Sequence, residues 1–384
     1  MRFNLARNKC RLIVVKIGTS SLTNKNGSLN LGEMERLVDQ VAEAVGNDFK
    51  VVLVTSGAVG SGIAELGVRF NPNDIVFKQT CAAVGQSILM THYRELFKKH
   101  GLKVAQILLT KEDLSNRVSY VHMCSVLDKL LQLGVVPIIN ENDATSIDEL
   151  KPVTKGYEVN FSDNDILSVL IANAIQADLV VLLTNVAGLY TMNPKSPEAK
   201  LVSVVECVTS ELKVSAEGKS PLGKGGMKTK LQAAEIATRG GIPVVVANSF
   251  RDKVLPDILS GKSVGTLFKP VDRMSGRKKW VAYGASVKGR IVVNEGAKKA
   301  IIKGASLLPI GICEVSGQFN IGDVVSLVDQ QGKMFGKGMV NYSSEEVNAI
   351  KGMNTIQSRK VLEYIGQKEA ITRKYIHLLE EEKK

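Results

Sequence analysis

The residues of this chain whose types and spacing could do chemistry are a few lysines and two clusters of amide and carboxyl side chains. The first lysine, Lys16, lies inside an otherwise continuous apolar run, RLIVVKIGTS (residues 11–20), which ends in Gly18, Thr19 and Ser20. Such a run reads as a buried parallel strand, and the turn it feeds offers backbone N–H groups to an anion, with Lys16 adding a point charge. Taken alone, it reads first as a strand whose lysine reaches for solvent. The other lysines lie in GKSPLGKGGMKTK (residues 218–230), which carries Lys224, Lys228 and Lys230, the last at the start of a helix. Gly218 to Lys224 fits GxxxxGK, but Gly225 stands where Ser or Thr is required and no apolar strand precedes it, so a P-loop is rejected. What remains is a glycine loop suited to closing over phosphates.

The amide and carboxyl clusters follow apolar runs. Asn140, Glu141, Asn142 and Asp143 stand at the exit of VVPII, where they would make poor core, so a ligand with an ammonium or amide group is the better explanation. Asp163, Asn164 and Asp165 open a helix, where capping accounts for one of them and not for three. TSGAVGSG (residues 55–62) reads as a glycine-rich turn offering the Ser56 hydroxyl, and LLTNVAGLYTMNP, with Gly188 and Pro194, as a loop that frames a nucleotide or merely covers the surface. Four scattered histidines show no metal-binding or triad spacing. Two lysines, several carboxylates and no useful histidine suggest phosphoryl transfer. A carboxylate acceptor explains the missing base, because it is already ionised and needs only alignment and charge neutralisation.

These side chains need a scaffold that gathers loop ends. Apolar runs at residues 12–15, 51–55, 104–109, 135–139, 179–184 and 244–247 alternate with helical spacing at 32–45, 81–99, 118–133, 164–176 and 228–239. The pattern predicts an α/β fold, a three-layer sandwich or doubly wound, with a mainly parallel sheet whose ligands collect beyond the carboxyl ends of the strands. After Gly265 a polar, basic stretch leads to the single tryptophan, Trp280, and to short β-like runs separated by glycines. The expected organisation is a first domain over 1–268, a linker over 269–279, a small β-rich domain over 280–354 and a helical tail over 355–384.

At 384 residues, 44% hydrophobic and 23% charged, the chain can bury a large core. It has no apolar run of membrane-span length and no secretory-type start, so the expectation is a cytoplasmic protein with no membrane contact. Five scattered cysteines without a CxxC pair argue against a disulfide framework or a zinc site. The formal charge of +12 is concentrated: residues 266–303 hold ten Lys or Arg against Asp272 and Glu295, a local net of +8. That stretch is a candidate for a polyanion, or simply a solvated face.

Taken in order, VVKIGTSSL, VVLVTSGAVGSG, KQTCAAVGQ, QILLT, VPIINENDA, FSDNDILS, LLTNVAGLYTMNP and GKGGMKTKLQAA resemble the glutamate 5-kinase family of the amino acid kinase superfamily over nearly all of residues 10–268. GRIVVNEGAKKAII, GASLLPIGI and GQFNIGDVVSL resemble the PUA domain that many of its members carry. The resemblance implies ATP-dependent phosphorylation of the L-glutamate γ-carboxylate, the first step toward proline, with Mg²⁺, proline as feedback inhibitor and a homo-oligomeric assembly. It implies that Lys16 and Lys230 stabilise the transferring phosphoryl group while Asp165 holds both lysines. It further implies that Ser56, Asp143 and Asn164 bind glutamate, with Asp143 suited to the α-ammonium. Around ATP it places Lys16, Gly18, Thr184, Asn185, Lys224, Gly225, Gly226, Met227, Lys228, Thr229 and Lys230. No metal ligand is assigned. The chain departs from the family pattern at Asn185, usually Asp, at Lys224, usually Thr, and at Ser162, usually Gly. The alternatives are another amino acid kinase, acting on aspartate, N-acetylglutamate or carbamate, and an RNA-binding or RNA-modifying protein acting through the PUA-like region. RNA binding is otherwise expected to be inessential.

Overall fold

The computed structural model describes residues 11–24, 28–68, 74–146, 164–194, 196–209, 212, 226–271, 280–362 and 368–379. The chain divides into two compact units, one made of residues 1–111 and 122–274 and the other of residues 112–121 and 275–384.

In the first unit, eight strands form one sheet: β1 (Leu12–Ile17), β2 (Lys50–Val54), β3 (Lys103–Leu109), β4 (Val135–Glu141), β5 (Leu179–Thr184), β6 (Val204–Val205), β7 (Val244–Asn248) and β8 (Thr266–Phe268), in the order β3-β4-β2-β1-β5-β7-β8-β6. Every pairing is parallel except that of β8 with β7. The runs are continuous in apolar residues because the central strands are covered on both faces: Ile13 to Ile17, Val51 to Val54 and Leu179 to Leu183 are all buried. Each such Val, Leu or Ile contributes about 1.5–3 kcal/mol by leaving water, and it is this burial that holds the strand ends fixed.

The helices named here are α1 (Thr19–Leu22), α2 (Leu31–Gly46), α3 (Ala58–Leu66), α4 (Ile75–Lys99), α5 (Lys111–Ser115), α6 (Arg117–Gln132), α7 (Asn164–Ile175), α8 (Gly226–Arg239) and α9 (Val254–Leu259). In α2, Met34, Leu37, Val38, Val41 and Ala44 fall on one stripe and are buried, and the Asn30 side chain caps the first turn by accepting from the Glu33 N–H. Asp74 caps α4 in the same way through Phe77. The glycine-rich stretch TSGAVGSG is less of a loop than its composition predicts, since α3 already begins at Ala58. Its last glycine, and one in α4, serve helix contact. A Cβ on Gly62 would stand 1.8 Å from the Cys81 carbonyl oxygen, and one on Gly85 would stand 1.8 Å from that of Ala58.

The second unit is a five-stranded sheet of β9 (Val287–Val293), β10 (Ile312–Gly317), β11 (Val324–Val328), β12 (Met334–Met339) and β13 (Ile376–Leu378), in the order β10-β9-β11-β12-β13. Ile291, Leu327, Phe335, Val347 and Ile350 are in its core. Two sequence expectations are corrected here. Among the described residues, the expected helical tail over 355–384 is α-helical over Thr355–Leu362, whereas Tyr375 lies in a short 3₁₀ turn and Ile376–Leu378 pair antiparallel with β12. The tail thus closes the sheet edge, an interaction that apolar spacing cannot reveal. In addition, residues 112–121 belong to this unit: the Trp280 indole N–H donates to the Leu114 carbonyl oxygen at 3.2 Å, and Tyr120 packs against the Trp280 ring.

Candidate active site

The carboxyl ends of β1, β2, β4 and β5 and the first turns of α7 and α8 carry the residues that matter. Lys16 sits one residue before the end of β1, in register with Val54 of β2 and Leu182 of β5, and is only 5% exposed. Between these apolar neighbours its stem cannot reach solvent, so the strand-and-snorkel alternative is removed. A buried ammonium needs a partner. It has one in Asp165, in the first turn of α7, whose Oδ1 lies 2.6 Å from the Lys16 Nζ. The other carboxylate oxygen, Oδ2, accepts from the Lys230 Nζ at 2.7 Å, and Lys230 is itself 8% exposed on the first turns of α8. The Thr229 hydroxyl lies 3.5 Å from the same oxygen.

Two buried cations around one buried anion leave a net positive charge. Burial is the largest influence on the Asp165 carboxyl and pushes it up, but the Lys16 and Lys230 ammonium groups and their hydrogen bonds outweigh it and hold the carboxyl below the usual carboxylate range. Asp165 therefore stays ionised and aligns both lysines. At the exit of β1 the chain keeps its backbone close: a Cβ on Gly18 would stand 3.5 Å from the Lys16 ammonium.

Beside this triad runs a relay of amides, buried at Asn140 and Gln86 and half-buried at Asn164. The two N–H bonds of the Asn164 Nδ2 are shared among three acceptors, the Thr55 carbonyl oxygen and the Ser56 hydroxyl, both at 2.8 Å, and the Asn140 Oδ1 at 3.0 Å. The Asn140 Oδ1 also accepts from the Glu141 backbone N–H, and its Nδ2 donates to the Gln86 Oε1 at 3.0 Å. Ser56, Asn140 and Glu141 are buried, which fits a liganding cluster better than a turn. A cavity of about 310 Å³ opens next to the relay, lined among others by Ala58, Gln86, Gln106, Glu141 and Asp143.

Of the residues picked from sequence, Lys16, Lys230 and Asp165 form one triad; Ser56 and Asn164 are joined by a hydrogen bond; and Asp143 lies on the cavity wall. Thr184 ends β5 with its hydroxyl 3.4 Å from the Asn185 Oδ1, and Gly226, Met227, Lys228, Thr229 and Lys230 form the start of α8, with Lys228 exposed. Lys224, Gly225 and Asp163 lie outside the described residues. Sequence reasoning gave two members of the relay no role of their own. Asn140 was visible within NENDA, whereas Gln86, the last residue of KQTCAAVGQ, carried no signal beyond its place on a helix.

The family resemblance implies Mg²⁺. Among the described residues no group of three or more His, Cys, Asp or Glu is placed to hold a metal, and both oxygens of Asp165 are engaged by lysine. The described side chains therefore do not fit a resident, protein-held Mg²⁺, an ion that typically keeps waters and binds through substrate phosphates.

A buried cationic pair held by one carboxylate at the strand ends of a mainly parallel sheet suits a phosphate-handling α/β enzyme, and similarity to known proteins names its class. Residues 11–248 match the model of the amino acid kinase family and residues 289–362 that of the PUA domain. The chain belongs to the amino acid kinase family. Among curated relatives, the glutamate 5-kinase of Thermoanaerobacter sp. (strain X514) is 45% identical over 372 residues, spanning 96% of this chain and 98% of the relative. That of Moorella thermoacetica is 44% identical over 373 residues, spanning 96% of each chain. That of Dehalococcoides mccartyi (strain ATCC BAA-2266) is 43% identical over 354 residues, spanning 91% and 93%. A solved structure of UMP kinase from Bacillus anthracis aligns with a TM-score of 0.46 at 17% identity, covering 68% of this chain and 97% of that one.

Proposed function

We propose that this chain transfers the γ-phosphoryl group of ATP to the γ-carboxylate of L-glutamate, giving L-glutamyl 5-phosphate and ADP, the first step of proline biosynthesis. The observation that carries the reading is the pair of buried lysines on Asp165, set beside an amide and acid-lined cavity. Full-length similarity to glutamate 5-kinases supports the choice of substrate. The acceptor is an ionised carboxylate, so its oxygen attacks phosphorus with no proton to remove, and the absence of a histidine base costs nothing.

In this reading Lys16 and Lys230 neutralise charge that grows on the phosphoryl oxygens and the leaving phosphate, and Asp165 keeps the two ammonium groups apart and aimed. Ser56, Asn164 and Asp143 hold glutamate, with Asp143 taking its ammonium. Gly18, Thr184, Asn185 and residues 224–230 surround the nucleotide, which brings Mg²⁺ with it. We assign the kinase domain to residues 1–268, a linker to 269–279 and the PUA-like domain to the region from 280, extended through β13. A cytoplasmic homo-oligomer inhibited by proline, with no need of RNA, completes the reading. Hydroxamate formation from ATP, with glutamate compared against aspartate and N-acetylglutamate, tests it. Glutamate is expected to be preferred by orders of magnitude, and equal turnover of either competitor would refute the assignment.

A further inference from the structure

The amide relay has a direction, and it is set by backbone groups that cannot be reversed. The Thr55 carbonyl oxygen only accepts, so Asn164 must present its Nδ2 there and to Asn140. The Glu141 N–H only donates, so Asn140 must offer its Oδ1 to it and to Asn164, which turns the Asn140 Nδ2 toward Gln86. Gln86 must answer with its Oε1. Its Nε2 is thereby left over: it is buried and has no hydrogen-bond partner among the described residues, and Gln86, 9% exposed, lines the cavity that Glu141 and Asp143 also line. The other end of the relay leaves the Asn164 Oδ1 buried and unpartnered as well. A relay that ends in an unused donor and an unused acceptor is matched by a ligand carrying both an anion and an ammonium group.

Resting on the glutamate kinase reading, we propose that Gln86 is a specificity-determining residue whose amide NH₂ donates to the α-carboxylate of the substrate. The topology decides which carboxylate it meets. Lys16 lies one residue before the end of β1, whereas the strand residues that line the cavity belong to β4 and β3, at least two strand positions away or roughly 10 Å across the sheet. The reacting γ-carboxylate stays at the lysines, and the distal carboxylate extends toward Gln86. The terminal amide torsion of glutamine is broad, so the NH₂ group turns into the cavity as the ligand fills it.

The isosteric variant Gln86→Glu separates this role from a structural one. It keeps the acceptor that receives the Asn140 Nδ2 and replaces the NH₂ donor with a carboxylate oxygen. Steady-state kinetics would be measured on the full chain with L-glutamate and with its α-amide, isoglutamine, which retains the γ-carboxylate. The wild type is expected to favour glutamate. In Gln86→Glu the glutamate KM should rise at least about tenfold while the ATP KM stays within about twofold, and the preference for glutamate over isoglutamine should fall by more than tenfold, because the α-amide can donate where the α-carboxylate is repelled. In Gln86→Leu the glutamate KM should also rise and the preference should fall by a smaller factor, because the donor is lost but no repelling charge is added. An unchanged preference ratio in Gln86→Glu would overturn the proposal. A wild-type protein that fails to phosphorylate glutamate would instead overturn the reading on which it rests.

Discussion

Among the described residues, each unit of this chain buries an aspartate against lysine, and the two are balanced differently. Asp329 sits in the tight turn between β11 and β12. Its Oδ1 accepts from the Gln331 and Lys333 N–H groups at 3.1 and 2.8 Å, and its Oδ2 takes the Lys298 ammonium at 2.9 Å. Lys298 rests 5.6 Å from the centre of the Phe335 ring. One anion meets one cation, the second oxygen is satisfied by the turn itself, and Gly332, at φ +83°, completes it. Asp165 instead meets two cations and no turn. The first arrangement is neutral and closes a hairpin; the second leaves a positive charge buried at the mouth of a sheet. Local neutrality marks a structural ion pair, and an unbalanced buried charge marks a place prepared for a ligand of the opposite sign.

The comparison breaks most visibly if the anion is removed from each. Asp165→Asn leaves two adjacent buried ammonium groups without a counter-charge, so kcat should fall at least about a hundredfold and stability by about 3–5 kcal/mol, read from turnover and from urea denaturation. Activity close to wild type would show that the lysines need no anchor. Next in size, Asp143→Ala and Asn164→Ala should raise the glutamate KM by roughly tenfold or more and leave the ATP KM nearly unchanged. An equal rise for both substrates would detach these residues from the glutamate side. Asp329→Asn should leave kcat untouched and destabilise the second unit by about 1–3 kcal/mol. The chain's single tryptophan, Trp280, is buried in that unit, so its fluorescence reports the change.

The smallest effect concerns acid. The hydrogen bond from Lys298 draws the Asp329 carboxyl below its usual range against the pull of burial, while at Asp165 the two lysines overcome burial. A depressed folded pKa gives stability that is complete above the ordinary aspartate value near 3.8 and is lost as pH falls toward the folded value. Asp329→Asn should therefore narrow its deficit against the wild type as the solution is acidified through that window, as read by Trp280 fluorescence. A deficit constant with pH would mean that the turn N–H bonds, and not the charge, account for the stability.

What could be read in the sequence depended on whether a residue broke a local pattern. Lys16 interrupts an apolar strand, Asn164 and Asp165 crowd a helix start, and NENDA follows a buried run; Lys16, Asp165, Asn140 and Glu141 proved to be buried at the site, and Asn164 and Asp143 half-buried beside them. The parallel sheet was legible because strands covered on both faces are uniformly apolar. Gln86 broke no pattern, since a glutamine on a helix is ordinary, and only the orientation of Asn140 gives it meaning. Gly62 looked like a loop residue because close helix contact and turn formation both select glycine. β13 and the residues 112–121 that join the second unit were hidden for another reason: both depend on partners far along the chain, and periodicity reports only on neighbours.

The central claim is that two buried lysines, held by one carboxylate, stabilise the phosphoryl group during its transfer to glutamate. Its most direct test is kcat and KM for Lys16→Ala and Lys230→Ala in the full chain, with ATP and glutamate at saturation. The account predicts a fall in kcat of roughly a hundredfold or more in each variant, with smaller changes in either KM, because the charge they meet is largest in the transition state. Near wild-type kcat in a folded variant of either lysine would contradict it.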